Sequence, residues 1–328
     1  MDSFRTEILP EKINVEISHQ HPILCIGSCF AENIGRKLNE LKFPVLINPF
    51  GIVYNPISIV SVLEKIISKS SFAENDLFQN LGLYHSFAHH GRFSHPDKLT
   101  ALQQINNSLQ EARIFLNKTN RLVLTLGTAH VFIYKNTNEI VANCHKVAGQ
   151  EFLRKRLSVA EIQAPLINVF KKLKAQLPLL EIIVTVSPVR HLRDGLVENQ
   201  RSKAALVLGL DEVCRQLEFV HYFPSYEIVL DDLRDYRFYE KDLSHPNEMA
   251  VDYIWKKFEH LFFNEGTKNI CRQILSINNA AKHRPFHPAS EAHQRFLKKQ
   301  LELIDQLEKK YAFLNFKKEK NIFEGQLV

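Results

Sequence analysis

The chain has 328 residues, 45% of them hydrophobic and 24% charged, with 42 basic and 36 acidic side chains for a formal charge of +6. That is enough apolar material for one large α/β domain with an appendage. The basic excess is spread along the chain and never clustered, which argues against a nucleic-acid partner.

The first residues, Met1 to Gln20, carry Asp2, Arg5, Glu7, Glu11, Lys12 and Glu16 and lack the apolar stretch of a signal peptide. Pro22 to Ile26 then reads as a buried strand, Gly27-Ser28 as a tight turn, and Phe30, Ile34, Leu38 and Leu41 as the apolar face of a helix. Pro44 to Ile47 is a second short strand. Asn55-Pro56 is an N-cap followed by a first-turn proline, opening a helix with Val60, Leu63 and Ile67 on its apolar face. Leu102, Ile105, Leu109, Ala112 and Leu116 mark another helix, which leads into the strand Arg121 to Leu126. Ser158 to Glu161 is a capping box for a helix through Leu177. Glu181 to Val186 is a strand, Glu198 to Leu217 a helix, Phe219 to Phe223 a last strand, and Pro246 to Phe262 a helix. Strands alternating with helices in this way imply parallel βαβ units. The tail differs: Asn278 to Ala289 reads as a polar loop, and Ser290 to Phe316 as one amphipathic helix with Leu297, Leu301, Ile304, Leu307, Tyr311 and Leu314 on a stripe. The expected organisation is an α/β domain over 1–265 and a C-terminal linker and long helix over 266–328. The stripe packs on the domain or, alternatively, on a second copy of the chain.

Cys25, Cys29, Cys144, Cys214 and Cys271 form no CxxC pair and no zinc pattern, which points to reduced thiols. No apolar run approaches the ~20 residues that span a bilayer. The expectation is a cytoplasmic protein with no membrane partner. GxGxxG and Walker patterns are missing, so no nucleotide or other cofactor is expected. His85, His89, His90 and His95 lie among Gly82, Gly91 and Pro96. They read as a loop, either lining substrate, with His89 and His90 as the candidates, or plain surface, and not as a metal site.

Open parallel sheets place their sites beyond the carboxyl ends of the strands. Ser28 stands at such an end and at a helix N-terminus, whose amides can stabilise a developing negative charge. The alternative role for that serine is a plain N-cap. A serine nucleophile needs a base, and the base needs a carboxylate to orient it. Asp242-Leu-Ser-His245, just ahead of a helix, supplies both residue types. Cys29 beside Ser28 is a rival nucleophile, but it is rotated about 100° around the helix from Ser28 and reads better as a small packed residue. Arg190 and His191 follow a strand end and are further candidates for contact with substrate.

Gly27-Ser28-Cys29-Phe30-Ala31 resembles the signature of the GSCFA family, a branch of the SGNH (GDSL-type) serine hydrolases. Asn48 to Pro56, Thr125 to Thr128, Val186 to His191 and Asp242 to His245 resemble its further blocks, so that the resemblance runs from about Ile23 to about Phe262. It implies a three-layer α/β/α flavodoxin-like fold with a parallel sheet and a C-terminal helical extension. It also implies ester chemistry, with Ser28 as nucleophile, His245 as base and Asp242 as orienting acid. By the same resemblance the oxyanion hole falls on the amides of Ser28 and Gly51. The clan's third donor, an asparagine, aligns with Ala129, leaving Asn55, Thr128 or His130 as replacements. The implied activity is a serine esterase acting on a small acyl ester, with carbohydrate O-acetyl groups as one substrate class. An O-acyltransferase with the same triad, and a binding protein that keeps the fold without turnover, are the alternatives.

Overall fold

The computed structural model describes residues 5–9 and 13–328. Of the N-terminal charges named above, Asp2, Glu11 and Lys12 lie outside the described residues. The chain opens with β1 (Ile23–Gly27), α1 (Cys29–Glu40), β2 (Val45–Ile47) and α2 (Pro56–Ile67). A small hairpin, β3 (Phe78–Asn80) with β4 (Leu83–His85), precedes α3 (Lys98–Leu116) and β5 (Arg121–Leu126). Next come β6 (His130–Tyr134), β7 (Glu139–Val141) and β8 (Phe152–Arg156), then α4 (Val159–Gln176), β9 (Glu181–Val186), α5 (Leu196–Gln216) and β10 (Val220–Tyr222). The short α6 (Ser225–Glu227) leads toward α7 (Glu248–Phe262), and α8 (Glu265–Lys282), α9 (Glu291–Lys310) and α10 (Lys317–Glu324) close the chain.

Five strands form one sheet in the order β10-β9-β5-β1-β2, and every neighbouring pair is parallel. Counting only these strands along the chain, the order is 2-1-3-4-5, the flavodoxin-like arrangement, with its topological switch point between β1 and β5. Alternate residues of the strands feed two cores. Leu24, Ile26, Leu122, Leu124, Ile182 and Val184 face α2 to α5, while Ile23, Cys25, Val123 and Ile183 face α1 and the C-terminal helices. Each of these aliphatic side chains contributes about 1.5–3 kcal/mol by leaving water. The fold is thus a three-layer α/β/α sandwich.

The sheet strands lie within two residues of their expected places. Several elements depart from expectation. β7-β6-β8 forms a separate antiparallel sheet, which the sequence reading omitted along with the β3–β4 hairpin. The polar loop expected from Asn278 begins only after Lys282, because α8, capped by Asn264, keeps Cys271, Ile274 and Ile277 buried on one side. The final helix expected through Phe316 ends at Lys310: Tyr311 leaves helical geometry at φ −130°, ψ 87°, and after a turn α10 starts at Lys317, with Leu314, Phe316 and Phe323 buried. Leu297, Ile304 and Leu307 are buried in the same core as Phe30 and Ile34 of α1, so the C-terminal helices complete one outer layer of the sandwich and the stripe is used inside the chain. Asn278 Nδ2 donates to Glu40 O at 2.8 Å, and Lys42 pairs with Glu319 at 3.0 Å across that junction. Among the described residues no helix is long and apolar enough to cross a membrane.

Candidate active site

β1 ends at the switch point in Gly27, whose φ is +146° and whose added Cβ would stand 2.3 Å from the Thr125 carbonyl oxygen of β5. Only glycine lets the two backbones approach this closely. Ser28 follows as N-cap of α1: its Oγ accepts from Phe30 N at 3.2 Å, and its exposure is 2%. Phe30, Ala31, Ile34 and Leu38 anchor the helix in the core. The first amide of α1, that of Cys29, has no intrahelical acceptor.

Asp242 and His245 meet as expected. His245 Nδ1 lies 2.6 Å from Asp242 Oδ2, while Asp242 Oδ1 accepts from the amides of Ser244 at 2.9 Å and His245 at 3.0 Å. Those hydrogen bonds, led by the His245 amide, hold the Asp242 carboxyl down at about 2. Arg190 N donates to Ser244 O at 3.0 Å, which ties this turn to the segment leaving β9. The dyad therefore stands at the carboxyl edge of the same sheet. Its side chains are about half exposed, at 47% for His245 and 51% for Asp242. No hydrogen bond joins His245 to Ser28 among the described residues, and Ser28 Oγ is engaged by Phe30 N. Catalytic contacts of this kind often close only when substrate is bound.

The expected oxyanion donors need correction. The Ser28 amide donates to Thr125 O at 3.2 Å, and the Gly51 amide to Asn48 O at 2.7 Å, so both are committed within the backbone. Asn55 caps α2, with Oδ1 accepting from Ser58 N and Nδ2 donating to Ser58 Oγ. Thr128 Oγ1 shares a hydrogen bond with Ser202 Oγ and accepts from His130 N. His130 is buried at 3.8 Å from both Asp194 and Glu198. Ala129 itself belongs to the core on the α2–α5 side, so the site's polarity does not depend on that position.

His191 sits nearer the switch point than the sequence suggested. Its Nε2 is buried with no hydrogen-bond partner. It lies 2.9 Å from where a Cβ on Gly127 would stand, just beyond the end of β5. The ring packs against Tyr54 at 5.0 Å between centroids, and its backbone amide donates to Asn199 Oδ1. Burial, reinforced by the charges of Lys203, His245, Arg154 and His130, pushes the imidazole down to about 3, so it is neutral at ordinary pH.

Lys203 was missed by the sequence reading. It is fully buried and donates to Gly127 O at 2.7 Å and Ser187 O at 2.6 Å, bracing the ends of β5 and β9. Its place on the buried stripe Asn199, Ser202, Leu206, Leu210 of α5 was the available signal.

A family model described as the GSCFA family matches residues 22–258, and a second, for the C-terminal domain of GSCFA domain proteins, matches residues 274–328. The chain belongs to the GSCFA family. No curated protein matches it. The GSCFA signature is largely a packing motif here: Gly27 for backbone approach, Phe30 and Ala31 for the core, and Ser28 for the cap. Cys29 is partly buried and its thiol is pushed up by desolvation, which fits a packed residue and not an activated thiolate. All five cysteines are free.

The histidine-rich segment of this GSCFA protein is structural. His85 lies in β4, held by Ser94 Oγ at 2.6 Å and Asn80 O at 3.1 Å. His89, expected to line substrate, is instead buried and stacked on Phe50 at 4.5 Å, with desolvation pushing it down to about 3. His90 packs its Cβ against Gly51, explaining that glycine at φ +78°. Among the described residues no group of three or more metal-ligating side chains assembles.

Proposed function

We propose that this chain is a serine esterase of the SGNH type. The observation that carries the reading is the Asp242–His245 hydrogen bond, tethered through Arg190 to the same sheet edge at which Ser28 caps α1. Ser28 Oγ attacks the ester carbonyl. His245 Nε2 takes the hydroxyl proton, while Asp242 holds Nδ1–H and so fixes the tautomer. The oxyanion is met by the positive N-terminus of α1, through the free Cys29 amide, and by His191 in its Nε2–H form. A neutral imidazole serves here because burial keeps it unprotonated while leaving one N–H to donate. His245 returns the proton to the leaving alcohol, and water then hydrolyses the acyl-enzyme. The half-exposed dyad gives water ready access, which favours hydrolysis over transfer to a second alcohol. Saccharide esters remain the proposed substrate class on the alcohol side.

A fluorophosphonate probe tests this directly. Labelling maps to Ser28 and disappears in Ser28→Gly, a substitution that costs a helix N-cap only a few tenths of a kcal/mol. It also falls sharply in His245→Asn, with the unfolding midpoint unchanged. Labelling elsewhere, or equal labelling of His245→Asn, contradicts the assignment.

A further inference from the structure

The turn that carries His245 also forms the wall of an open cavity of about 390 Å³, lined by Leu196, Leu233, Tyr239 and Leu243 and, at its polar side, by Arg190, Arg234 and Asp235. Leu243 is unusual there. It lies between Asp242 and His245 with φ +56°, a conformation that suits glycine or asparagine and that leucine rarely adopts. It is 52% exposed, so the core does not explain it either. Neighbouring Leu196 and Tyr236 are exposed as well. Arg190 places its guanidinium 5.7 Å from the Tyr239 ring centroid, with no carboxylate partner among the described residues. A charged flank follows β9, where Asp194 pairs with Arg154 and where Asp194 and Glu198 each stand 3.8 Å from the buried His130. His191 lies between Arg190 and Asp194 along the chain, with its ring packed on Tyr54.

We infer that this cavity binds the apolar acyl chain of a medium-length ester, with Leu243 and Leu196 closing on the chain, while the hydroxylated alcohol faces the charged flank. A two-carbon acetyl group leaves most of this open cavity unfilled, whereas a chain of about eight carbons, at ~0.8 kcal/mol for each buried CH2, gains from covering its leucine wall. Octanoyl-sized groups therefore fit better than acetyl. The inference rests on Ser28 and His245 being the acyl-transfer centre, but it can be tested apart from turnover.

The test uses the full chain as Ser28→Gly, titrated calorimetrically with octanoate and with acetate. Octanoate binds at least ten-fold more tightly than acetate. Adding Leu243→Asn, which keeps a residue suited to positive φ and so preserves the turn, weakens octanoate at least five-fold and leaves acetate unchanged. In the active chain, kcat/KM for p-nitrophenyl octanoate exceeds that for the acetate ester, and Leu243→Asn erases the difference. Equal or undetectable binding of the two acids, or an equal effect of Leu243→Asn on both, overturns the proposal. A preference that follows alcohol length at constant acetyl overturns the assignment to the acyl side. Selective octanoate binding in a chain that turns over neither ester supports the cavity while removing the ester chemistry.

Discussion

At the scale of single residues, the catalytic reading turns on which donors are free. Two amides that the family resemblance assigns to the oxyanion hole are already spent on Thr125 O and Asn48 O. His191 Nε2 is buried beside Gly127 with nothing to bond to, and leaving a buried donor unpaired costs about 1–3 kcal/mol. An arriving oxyanion would relieve that cost only in the transition state. Replacing His191 by Phe keeps the ring against Tyr54 and removes the donor. We expect kcat on a p-nitrophenyl ester to fall by about 10²–10³ with little change in KM; an unchanged kcat would show that the imidazole only packs. The place of Ser28 at the head of α1 and the Asp242–His245 contact were legible from sequence because both are set by local spacing relative to strand and helix signals. The burial of His191 beside Gly127 was not, since it depends on where the loop after β9 crosses the end of β5. The side of the sheet on which Ala129 falls was equally hidden, because alternation stops at the strand end.

Among the elements, the five sheet strands were readable because strands covered on both faces become continuous apolar runs. The antiparallel strands β3, β4 and β7 have three residues each, and β8 is Phe-Leu-Arg-Lys-Arg, so length and charge disguised them. The break after α9 carries no glycine or proline; Tyr311 and Leu314 prolong the apolar stripe past the true end at Lys310. Lys203 shows how the elements are joined, with one side-chain nitrogen bonded to the ends of two strands. Burial pushes it from the ordinary 10.5 down to about 7. The unfolded chain therefore binds the extra proton between those values. Stability rises with pH across that window and is lost as pH falls toward 7. A neutral amine still has two N–H donors for the two carbonyls. In Lys203→Met this part of the slope, at most about 1.4 kcal/mol per pH unit, should vanish in urea unfolding at pH 7, 8 and 9. An identical slope in both proteins would mean the lysine keeps its proton throughout.

For the molecule as a whole, the parallel sheet fixes a switch point beside Ser28 after β1 and beside His191, whose ring reaches Gly127 at the end of β5, and the 242–245 turn before α7 is tied to the segment after β9 by the bond from Arg190 N to Ser244 O. The C-terminal helices stabilise this frame from one side by sharing a core with α1 and α7. The central claim is that Ser28 and His245 act on one substrate carbon. A crystal structure of the fluorophosphonate-inactivated chain tests it most directly. The account predicts phosphorus on Ser28 Oγ, His245 Nε2 within about 3 Å of an adduct oxygen with Asp242 still on Nδ1, and His191 Nε2 on the phosphoryl oxygen. An adduct on Ser28 with His245 still turned to solvent, or an adduct on any other residue, would contradict it.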